Sequence, residues 1–296
     1  QAAGVDAVIV ADLGVMNLVK QYAPKVEIHI STQAGIVNYA MANALYDMGA
    51  KRIVLARELS LDDIAQIRAK IPADLEIETF VHGAMCMSFS GRCLLSAYLN
   101  NRDANRGDCS QPCRWEYALV EKKRPNEYMD ITEDKHGSYI FNSRDMCMIE
   151  HIPEMIDAGI DSFKIEGRMK SVFYVAITIG AYRRAIDAYY RDPENYVDDP
   201  AWMEELLKAS HREFTTGFYY DKPTNEDQNY QTSAYTRDYS FTGIVRSYDP
   251  ETHMAVVEQR NKMVLGDEIE IFGPDCDFFT QRLDVLQDED GQPIDS

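Results

Sequence analysis

The feature that most constrains the fold is a regular alternation of short β-rich runs with helical patterns as far as residue 191. The predicted strands are 7–11, 26–31, 52–56, 76–82, 138–142 and 162–166. The predicted helices are 37–48, 61–70, 148–158 and 171–191. This alternation is typical of repeated βα units, so the sequence predicts the α/β class and a (β/α) TIM-like barrel. Six strands are too few to close an eight-stranded barrel, and we expect the barrel to be amino-terminally incomplete.

Changes in composition divide the chain into a large and a small domain. Residues 1–217 are predicted to form the barrel domain, with a cysteine-rich insertion at about 84–137. An acidic, tyrosine-rich connector at 218–235 leads to a small β-barrel domain at 236–296. The strands predicted there are 241–248, 254–260, 268–272 and 279–286. Because the chain opens at Gln1, without a methionine, we expect the natural protein to begin earlier.

Polar residues collect where the predicted strands of the large domain end. They are Asp12, Thr32, Gln33, Arg57, Glu58, His82, Arg144, Asp145, Glu166 and Arg168. Barrel enzymes place their chemistry at the carboxyl ends of the strands, so these side chains are candidates for an active site. The alternative for any one of them, and equally for Ser60, is an ordinary helix cap.

Four of the six cysteines lie between residues 86 and 113. They are Cys86, Cys93, Cys109 and Cys113, and six, fifteen and three residues separate them in turn. Thiolates are soft ligands that select iron–sulfur clusters or structural zinc over magnesium and calcium. Paired zinc knuckles usually have two to four intervening residues, whereas iron–sulfur ligation tolerates more varied spacing. A bound cluster, a bound zinc ion and unliganded buried cysteines therefore all remain open, in that order of preference.

The charge balance argues against a protein that binds nucleic acid over its whole surface. The net charge is −19, whereas a sequence-independent phosphate binder needs a basic surface. Two local basic groups lie near the cysteines and near residue 168, and either could be an exposed, solvated surface. They are Arg102, Arg106, Arg114, Lys122, Lys123 and Arg124, and Lys164, Arg168 and Lys170. No apolar run reaches the roughly 20 residues of a membrane span, and clustered cysteines favour a reducing cytoplasm.

Several long strings around the cysteines resemble the collagenase-like peptidase family, peptidase family U32. They are ETFVHGAMC at 78–86, SGRCLLS at 90–96, RDANRG at 102–107, CSQPCRW at 109–115, NSRD at 142–145 and KIEGRMKS at 164–171. The resemblance covers nearly all of the chain, including the small domain. Relatives carry an additional amino-terminal segment.

The resemblance implies RNA hydroxylation more directly than proteolysis. In family members that act as hydroxylation factors, cysteines of this segment hold a 4Fe-4S cluster, and prephenate is implicated as the hydroxyl source. The chain looks most like the branch that makes 5-hydroxyuridine at the tRNA wobble position. Carried over by position, Cys86, Cys93, Cys109 and Cys113 are the implied ligands, and Cys147 is a fifth candidate. The resemblance does not decide whether Cys113 or Cys147 is the fourth ligand.

The candidate catalytic residues are assigned as a hypothesis. Arg57, Arg144, Lys164 and Arg168 would attract an anionic cosubstrate, since arginine matches carboxylates through its planar fork. Glu58 and Glu166 would serve as acid or base, or simply pair with those arginines. His82 lies near Cys86 in the sequence, which keeps open a cysteine peptidase acting on unfolded or collagen-like peptide. A noncatalytic scaffold with structural zinc is the third alternative, and the exact substrate and oligomeric state stay open.

Overall fold

The computed structural model describes residues 3–86, 88–89, 92–115, 118–120, 128–130, 144–221, 239–273 and 276–296. The chain divides into two compact units, Gln1–Thr236 and Arg237–Ser296. The described strands of the first unit are β1 (Ala7–Val10), β2 (Glu27–Ile30), β3 (Arg52–Val54), β4 (Glu76–Ala84), β5 (Ala118–Val120), β6 (Tyr128–Asp130), β7 (Asp145–Cys147), β8 (Ser162–Glu166) and β9 (Phe214–Thr215). Its described helices are α1 (Leu13–Tyr22), α2 (Tyr39–Asp47), α3 (Leu61–Arg68), α4 (Leu95–Asn100), α5 (Ile152–Asp157), α6 (Val172–Arg191) and α7 (Pro200–Lys208).

A seven-stranded sheet forms the centre of the first unit. Strands β1, β2, β3 and β4 are parallel neighbours in that order, and β8 pairs in parallel with β4. The predicted α/β class and parallel sheet are therefore confirmed. Most predicted strands and helices agree with the structure to within a few residues, whereas the predicted strand 138–142 lies outside the described residues.

The predicted TIM-like barrel is not confirmed, because the described strands form an open sheet. Strand β1 pairs only with β2, and β8 pairs only with β4, so no described pairing joins the two ends. The carboxyl end of β4 instead pairs antiparallel with β7, which in turn pairs with β9. A barrel of parallel βα units needs each strand to continue the parallel order, and β7 interrupts that order.

The second unit consists of two antiparallel ribbons in its described residues. One ribbon pairs β10 (Gly243–Asp249) with β11 (Met254–Gln259), and the other pairs β12 (Glu268–Gly273) with β13 (Cys276–Arg282). The predicted strands are present, but the described pairings do not close them into the predicted small β-barrel. In neither unit do the described residues include a helix that is long and apolar enough to cross a bilayer.

Several polar residues at strand ends cap the helix that follows. The Asp12 carboxylate accepts a hydrogen bond from the Val15 amide at 2.9 Å, at the start of α1. Ser60 and Asp63 form a reciprocal capping box at the start of α3. These contacts satisfy amide groups that have no partner inside the helix. For Asp12 and Ser60, the capping alternative is the one that the structure supports.

Gly83 allows β4 to lie closely against β8. Its φ is +107°, and a Cβ atom at this position would overlap the carbonyl oxygen of Glu166. We expect Gly83→Ala to lower the free energy of unfolding by at least about 2 kcal/mol, because both the backbone and the Glu166 contact would be strained. Gly180 in α6 is the matched control, since a Cβ there meets no atom within 4 Å.

The measurement for both glycine variants is urea unfolding followed by circular dichroism. Gly180→Ala should raise the free energy of unfolding by up to about 1 kcal/mol, because alanine favours a helix interior over glycine. Equal stabilities for the Gly83→Ala variant and the wild type would contradict the close approach of β4 to Glu166.

Candidate functional site

A buried arginine lies at the carboxyl edge of the parallel sheet, where β3, β4 and β8 end. The Arg57 side chain is only 11% exposed, and its guanidinium lies 3.7 Å above the centre of the Phe80 ring. It donates a hydrogen bond to the Ala84 carbonyl at 3.2 Å and faces the Glu166 carboxylate at 3.7 Å. Burial lowers the pKa of Arg57, and the charges of Glu166 and of the nearby Cys86 thiol oppose that shift. The structure therefore brings together Arg57, Glu166 and Cys86.

Three of the clustered cysteines share the same local geometry. The sulfur of Cys86 accepts a hydrogen bond from the Ser88 amide at 3.4 Å, Cys93 from the Leu95 amide at 3.4 Å, and Cys109 from the Gln111 amide at 3.3 Å. In each case the donor lies two residues after the cysteine. An amide hydrogen aimed at sulfur stabilises the negative charge of a thiolate, which is the form that binds metals.

Two of these cysteines, Cys93 and Cys109, also act electrostatically on the Cys86 thiol. Burial raises the pKa of Cys86, the Ser88 amide and Arg57 oppose the rise, and the neighbouring Cys93 and Cys109 add to it. A thiol that resists ionisation because other thiols are near becomes a good ligand once a cation neutralises the group. This donor set fits a thiolate-held iron–sulfur cluster or zinc ion.

The described cysteines do not form a closed metal site. In the part of the chain that the structure describes, no three side chains of ligand type converge tightly enough to hold an ion as they stand. Cys113 lies in a single helical turn, Pro112–Arg114, that contacts α4. The predicted ligands Cys86, Cys93, Cys109 and Cys113 thus lie in one segment above the sheet edge, which we call the cysteine segment (residues 85–115).

Cys147 lies in a different environment from those four. It is buried on β7, opposite His82 in the strand register, and its sulfur lies 3.9 Å from the Tyr182 hydroxyl. Burial raises its pKa to about 12, while the Ile149 amide and Tyr182 oppose the rise. None of the groups that shift this pKa belongs to the cysteine segment. The structure therefore places Cys147 among core residues.

Arg168 connects the loop after β8 to the cysteine segment. Its guanidinium packs against Gly107, at the position that a Cβ atom of residue 107 would occupy. The backbone of Arg168 is fixed by the Glu166 carboxylate, which accepts a hydrogen bond from its amide at 3.2 Å. The side chain is exposed, and no described carboxylate forms a salt bridge with it. Arg168 is thus a cation that remains available beside the cysteines.

Three other predicted catalytic residues are held in different ways. Lys164 forms a salt bridge with the buried carboxylate of Glu78, and Arg144 pairs with Glu213 at 3.0 Å. Burial by itself would raise the pKa of Glu78, but the hydrogen bonds from Lys164, Ser162 and Arg52 outweigh it and lower the pKa. Glu58 lies close enough to Arg57 to influence its pKa. Of these three, only Glu58 adjoins the group formed by Arg57, Glu166 and Cys86.

His82 is enclosed by aromatic side chains and is only 2% exposed. Its ring centre lies 5.4 to 5.9 Å from those of Phe214, Tyr182 and Tyr174, and its Nδ1 is 3.4 Å from the Tyr182 hydroxyl. Burial lowers its pKa to about 3, because the ring loses hydration that would stabilise its charge. A bulge in β4 between Phe80 and His82 shifts the register here. This geometry does not support His82 as a base for Cys86.

The sequence did not predict that Asp145 and Lys170 form a buried ion pair next to His82. Lys170 Nζ lies 3.8 Å from Asp145, whose side chain is 1% exposed, and it donates to the Ser210 carbonyl at 3.2 Å. This pair ties the loop after β8 to β7. The available sequence signal was the position of both residues inside the strings at 142–145 and 164–171. Sequence patterns alone do not pair side chains that lie 25 residues apart.

The fold and the site together define an α/β protein with a thiol-rich segment and a buried arginine that pairs with a partly exposed glutamate at the carboxyl edge of a parallel sheet. Comparison with known sequences gives the family. The sequence profile of peptidase family U32 matches residues 1–229, and that of the peptidase family U32 C-terminal domain matches residues 237–296. The chain belongs to peptidase family U32, which confirms the family predicted from the sequence strings.

Relatives in this family carry names of two kinds. The chain is 42% identical to "tRNA hydroxylation protein P1" of Bacillus subtilis over 294 residues, which cover 99% of this chain and 69% of that protein. It is 38% identical to "tRNA hydroxylation protein P" of Escherichia coli over 92% of this chain and 68% of that protein. It is also 34% identical to "Collagenase" of Porphyromonas gingivalis over 98% of this chain and 70% of that protein.

Proposed function

We propose that this chain is an RNA hydroxylation factor that forms 5-hydroxyuridine at the wobble position of tRNA, with prephenate as the hydroxyl donor. The observation that carries the proposal is the Cys86 thiol, which lies beside the Arg57–Glu166 pair and is influenced electrostatically by Cys93 and Cys109. The names of the tRNA hydroxylation relatives support the substrate class. Another relative, the "23S rRNA 5-hydroxycytidine C2501 synthase" of Escherichia coli, is 42% identical over 62% of this chain and 26% of that protein.

The proposed cofactor is a 4Fe-4S cluster held by Cys86, Cys93, Cys109 and Cys113. Replacing a ring C–H by C–OH removes two electrons from the pyrimidine, so the reaction needs an external electron acceptor as well as an oxygen source, and a bound cluster would pass the electrons to that acceptor one at a time. An iron–sulfur cluster supplies that redox chemistry when it is bound. The amide hydrogens aimed at three of the sulfurs support thiolate ligation, and hydrogen bonds of this kind also tune cluster potentials.

Arg57 and Arg168 have different roles in the proposed cosubstrate site. Arg57 is already paired with Glu166 and buried, so its role is to fix that carboxylate at the sheet edge. Arg168 is exposed, lies next to the cysteine segment and has no described salt bridge, so its fork is available for a carboxylate of prephenate. Glu166 pairs with Arg57 and accepts a hydrogen bond from the Arg168 amide, and in this proposal it acts as the acid or base toward the cosubstrate.

Arg168→Ala should abolish hydroxylation while the cluster absorbance stays unchanged. The physical reason is the loss of an exposed cation beside the cysteines for which the described residues provide no salt bridge. Arg183→Ala is the matched control, because Arg183 is also exposed but pairs with Asp187 one turn along α6. Activity is measured as oxygen gain in tRNA nucleosides by mass spectrometry. If the Arg168→Ala variant hydroxylates as fast as the wild type, Arg168 is not part of the site.

The peptidase alternative lacks support from the geometry around Cys86. A cysteine nucleophile needs a lowered thiol pKa and a histidine in contact, whereas burial raises the pKa of Cys86 and the aromatic rings enclose His82. Because one relative is named "Collagenase", peptidase activity is also to be measured. Cleavage of denatured collagen by the metal-free protein, blocked by thiol reagents, would establish it.

The decisive experiment is anaerobic purification followed by analysis of iron, sulfide and zinc, and then a reaction with unmodified tRNA. We expect a brown protein that forms 5-hydroxyuridine only when prephenate is present. A colourless protein that contains zinc and hydroxylates nothing after anaerobic iron–sulfur reconstitution would favour the zinc-bearing scaffold and refute the proposal.

A further inference from the structure

An open cleft lies at the carboxyl ends of β1 and β2, outside the group formed by Arg57, Glu166 and Cys86. It has a volume of about 420 Å³ and is lined by Ala11, Asp12, Gln33, Arg92 and Leu94. The first three residues follow the strands, and the last two belong to the cysteine segment. Clefts of this size accommodate small ligands. Asp12 and Gln33 were candidates because they follow strands, whereas Ala11, Arg92 and Leu94 were not predicted as site residues.

Arg92 joins the two walls of the cleft. Its Nε–H donates a hydrogen bond to the backbone carbonyl of Gln33, which holds the cysteine segment against the strand ends. The side chain is otherwise exposed, and within the described part of the chain no carboxylate forms a salt bridge with it. By contrast, Arg102 pairs with Asp108 and Arg106 with Asp103. Arg92 therefore presents a fixed positive charge at the edge of the cleft.

The outer wall of the cleft continues as an exposed apolar face. Leu94 is 71% exposed and Tyr98 is 86% exposed. The Tyr98 amide donates to the Leu94 carbonyl at 2.9 Å, so the two side chains lie one helical turn apart on the same face of α4. Unpaired RNA bases stack on exposed aromatic rings of this kind.

The cleft also adjoins the proposed cluster. Cys93 lies between Arg92 and Leu94 in the chain and is itself buried. A base held between the Gln33 wall and Leu94 would therefore lie next to a proposed cluster ligand. A site for the reacting base must have this position if the cluster takes part in its oxidation.

The charge distribution favours RNA at this face. Residues 85–115 contain four arginines and two aspartates, so they carry a net charge of +2. Since the whole chain carries −19, the rest of the chain carries −21. Phosphate groups are therefore repelled by most of the protein and attracted to the cysteine segment.

We infer that this cleft binds an unpaired pyrimidine nucleotide of the RNA substrate, with Tyr98 and Leu94 against the base and Arg92 on its phosphate. The inference rests on the proposed function and assigns the base to a site that is distinct from the proposed cosubstrate site at Arg168. An enzyme that modifies a base needs that base unstacked, and a loop nucleotide meets this need at little cost.

The test is fluorescence anisotropy with the cluster-loaded protein and a labelled RNA hairpin that has uridine in its loop. Tyr98→Ala should weaken binding about 10- to 100-fold, whereas Tyr98→Phe keeps the ring and should bind as the wild type does. Tyr22→Ala is the matched control, because Tyr22 is 73% exposed at the far end of α1. Arg92→Gln should reduce the slope of log K against log salt concentration by about one, as expected for the loss of one phosphate contact.

The outcomes separate this inference from the proposed function. If the wild type binds and hydroxylates RNA but Tyr98→Ala binds equally well, the cleft assignment is wrong and the function stands. If the wild type neither binds nor hydroxylates RNA, both are wrong. Binding of denatured collagen that is lost in Tyr98→Ala, without RNA binding, would assign the cleft to a peptide and overturn the inference.

Discussion

Replacing both Cys86 and Cys93 by alanine is expected to remove iron and sulfide from the protein and to abolish tRNA hydroxylation. Cys86 and one of the two thiols that act on it electrostatically would be lost, and the two remaining ligands of the cysteine segment cannot hold a 4Fe-4S cluster. Iron and sulfide per chain and the visible absorbance, measured after anaerobic reconstitution, check the result. Iron content equal to that of the wild type would contradict the ligand assignment.

The fourth ligand is decided by a matched pair of single variants. We expect Cys113→Ala to lose the cluster, because Cys113 lies in the cysteine segment with the other three. Cys147→Ala should keep the cluster, because Cys147 is buried on β7 behind His82 and beside Tyr182. The opposite pattern would show that Cys147 moves to the cluster and that the structure around β7 changes on binding.

The second large effect concerns His82 and stability in acid. Its pKa falls from 6.5 in the unfolded chain to about 3 in the folded protein, because burial removes the hydration of the charged ring. Below pH 6.5 the unfolded chain therefore binds a proton that the folded protein does not bind, and stability is lost as the pH falls towards 3. Between pH 7 and pH 5 this single group should lower the free energy of unfolding by about 2 kcal/mol.

His82→Phe tests that assignment. Phenylalanine keeps an aromatic ring within the cluster of Tyr174, Tyr182 and Phe214 but cannot bind a proton. The Tyr182 hydroxyl keeps its hydrogen bonds to the Val81 carbonyl and the Met148 amide. Urea unfolding between pH 4 and pH 7 should give a shallower pH dependence for the variant, by about one proton. Equal slopes for variant and wild type would mean that His82 does not cause the acid sensitivity.

Lys170 supplies an independent check on the same environment. The Lys170 charge lowers the pKa of His82, whereas Asp145 raises it, although both effects are smaller than that of burial. Lys170→Met should therefore raise the pKa of His82, because the Asp145 carboxylate would attract the proton unopposed. The ring proton shifts of His82, followed by NMR as a function of pH, measure the change.

The order of the βα units could be predicted because hydrophobic periodicity is a property of the amino-acid sequence. Strand β8 agrees with its predicted bounds, and β1 to β4 agree to within two residues. Helix α1 was not predicted, and eight of its ten residues are exposed, with only Met16 buried. The family could be predicted as well, because long strings around the cysteines are specific. Whether the sheet closes into a barrel could not be predicted from the sequence, because closure depends on which edge strands pair.

The candidate site, like the fold, could be predicted from the sequence only in part. The donor chemistry could be identified from the amino-acid sequence: four clustered thiols, the arginines and glutamates after the strands, and the alternation that places them at one edge of a sheet. Which of these side chains are in contact follows from the three-dimensional packing. It pairs Arg57 with Glu166 beside Cys86, engages Lys164 with Glu78, and buries His82 and Cys147 in the core. Periodicity records which residues are buried, whereas pairings between distant segments follow from how strands and loops pack in space.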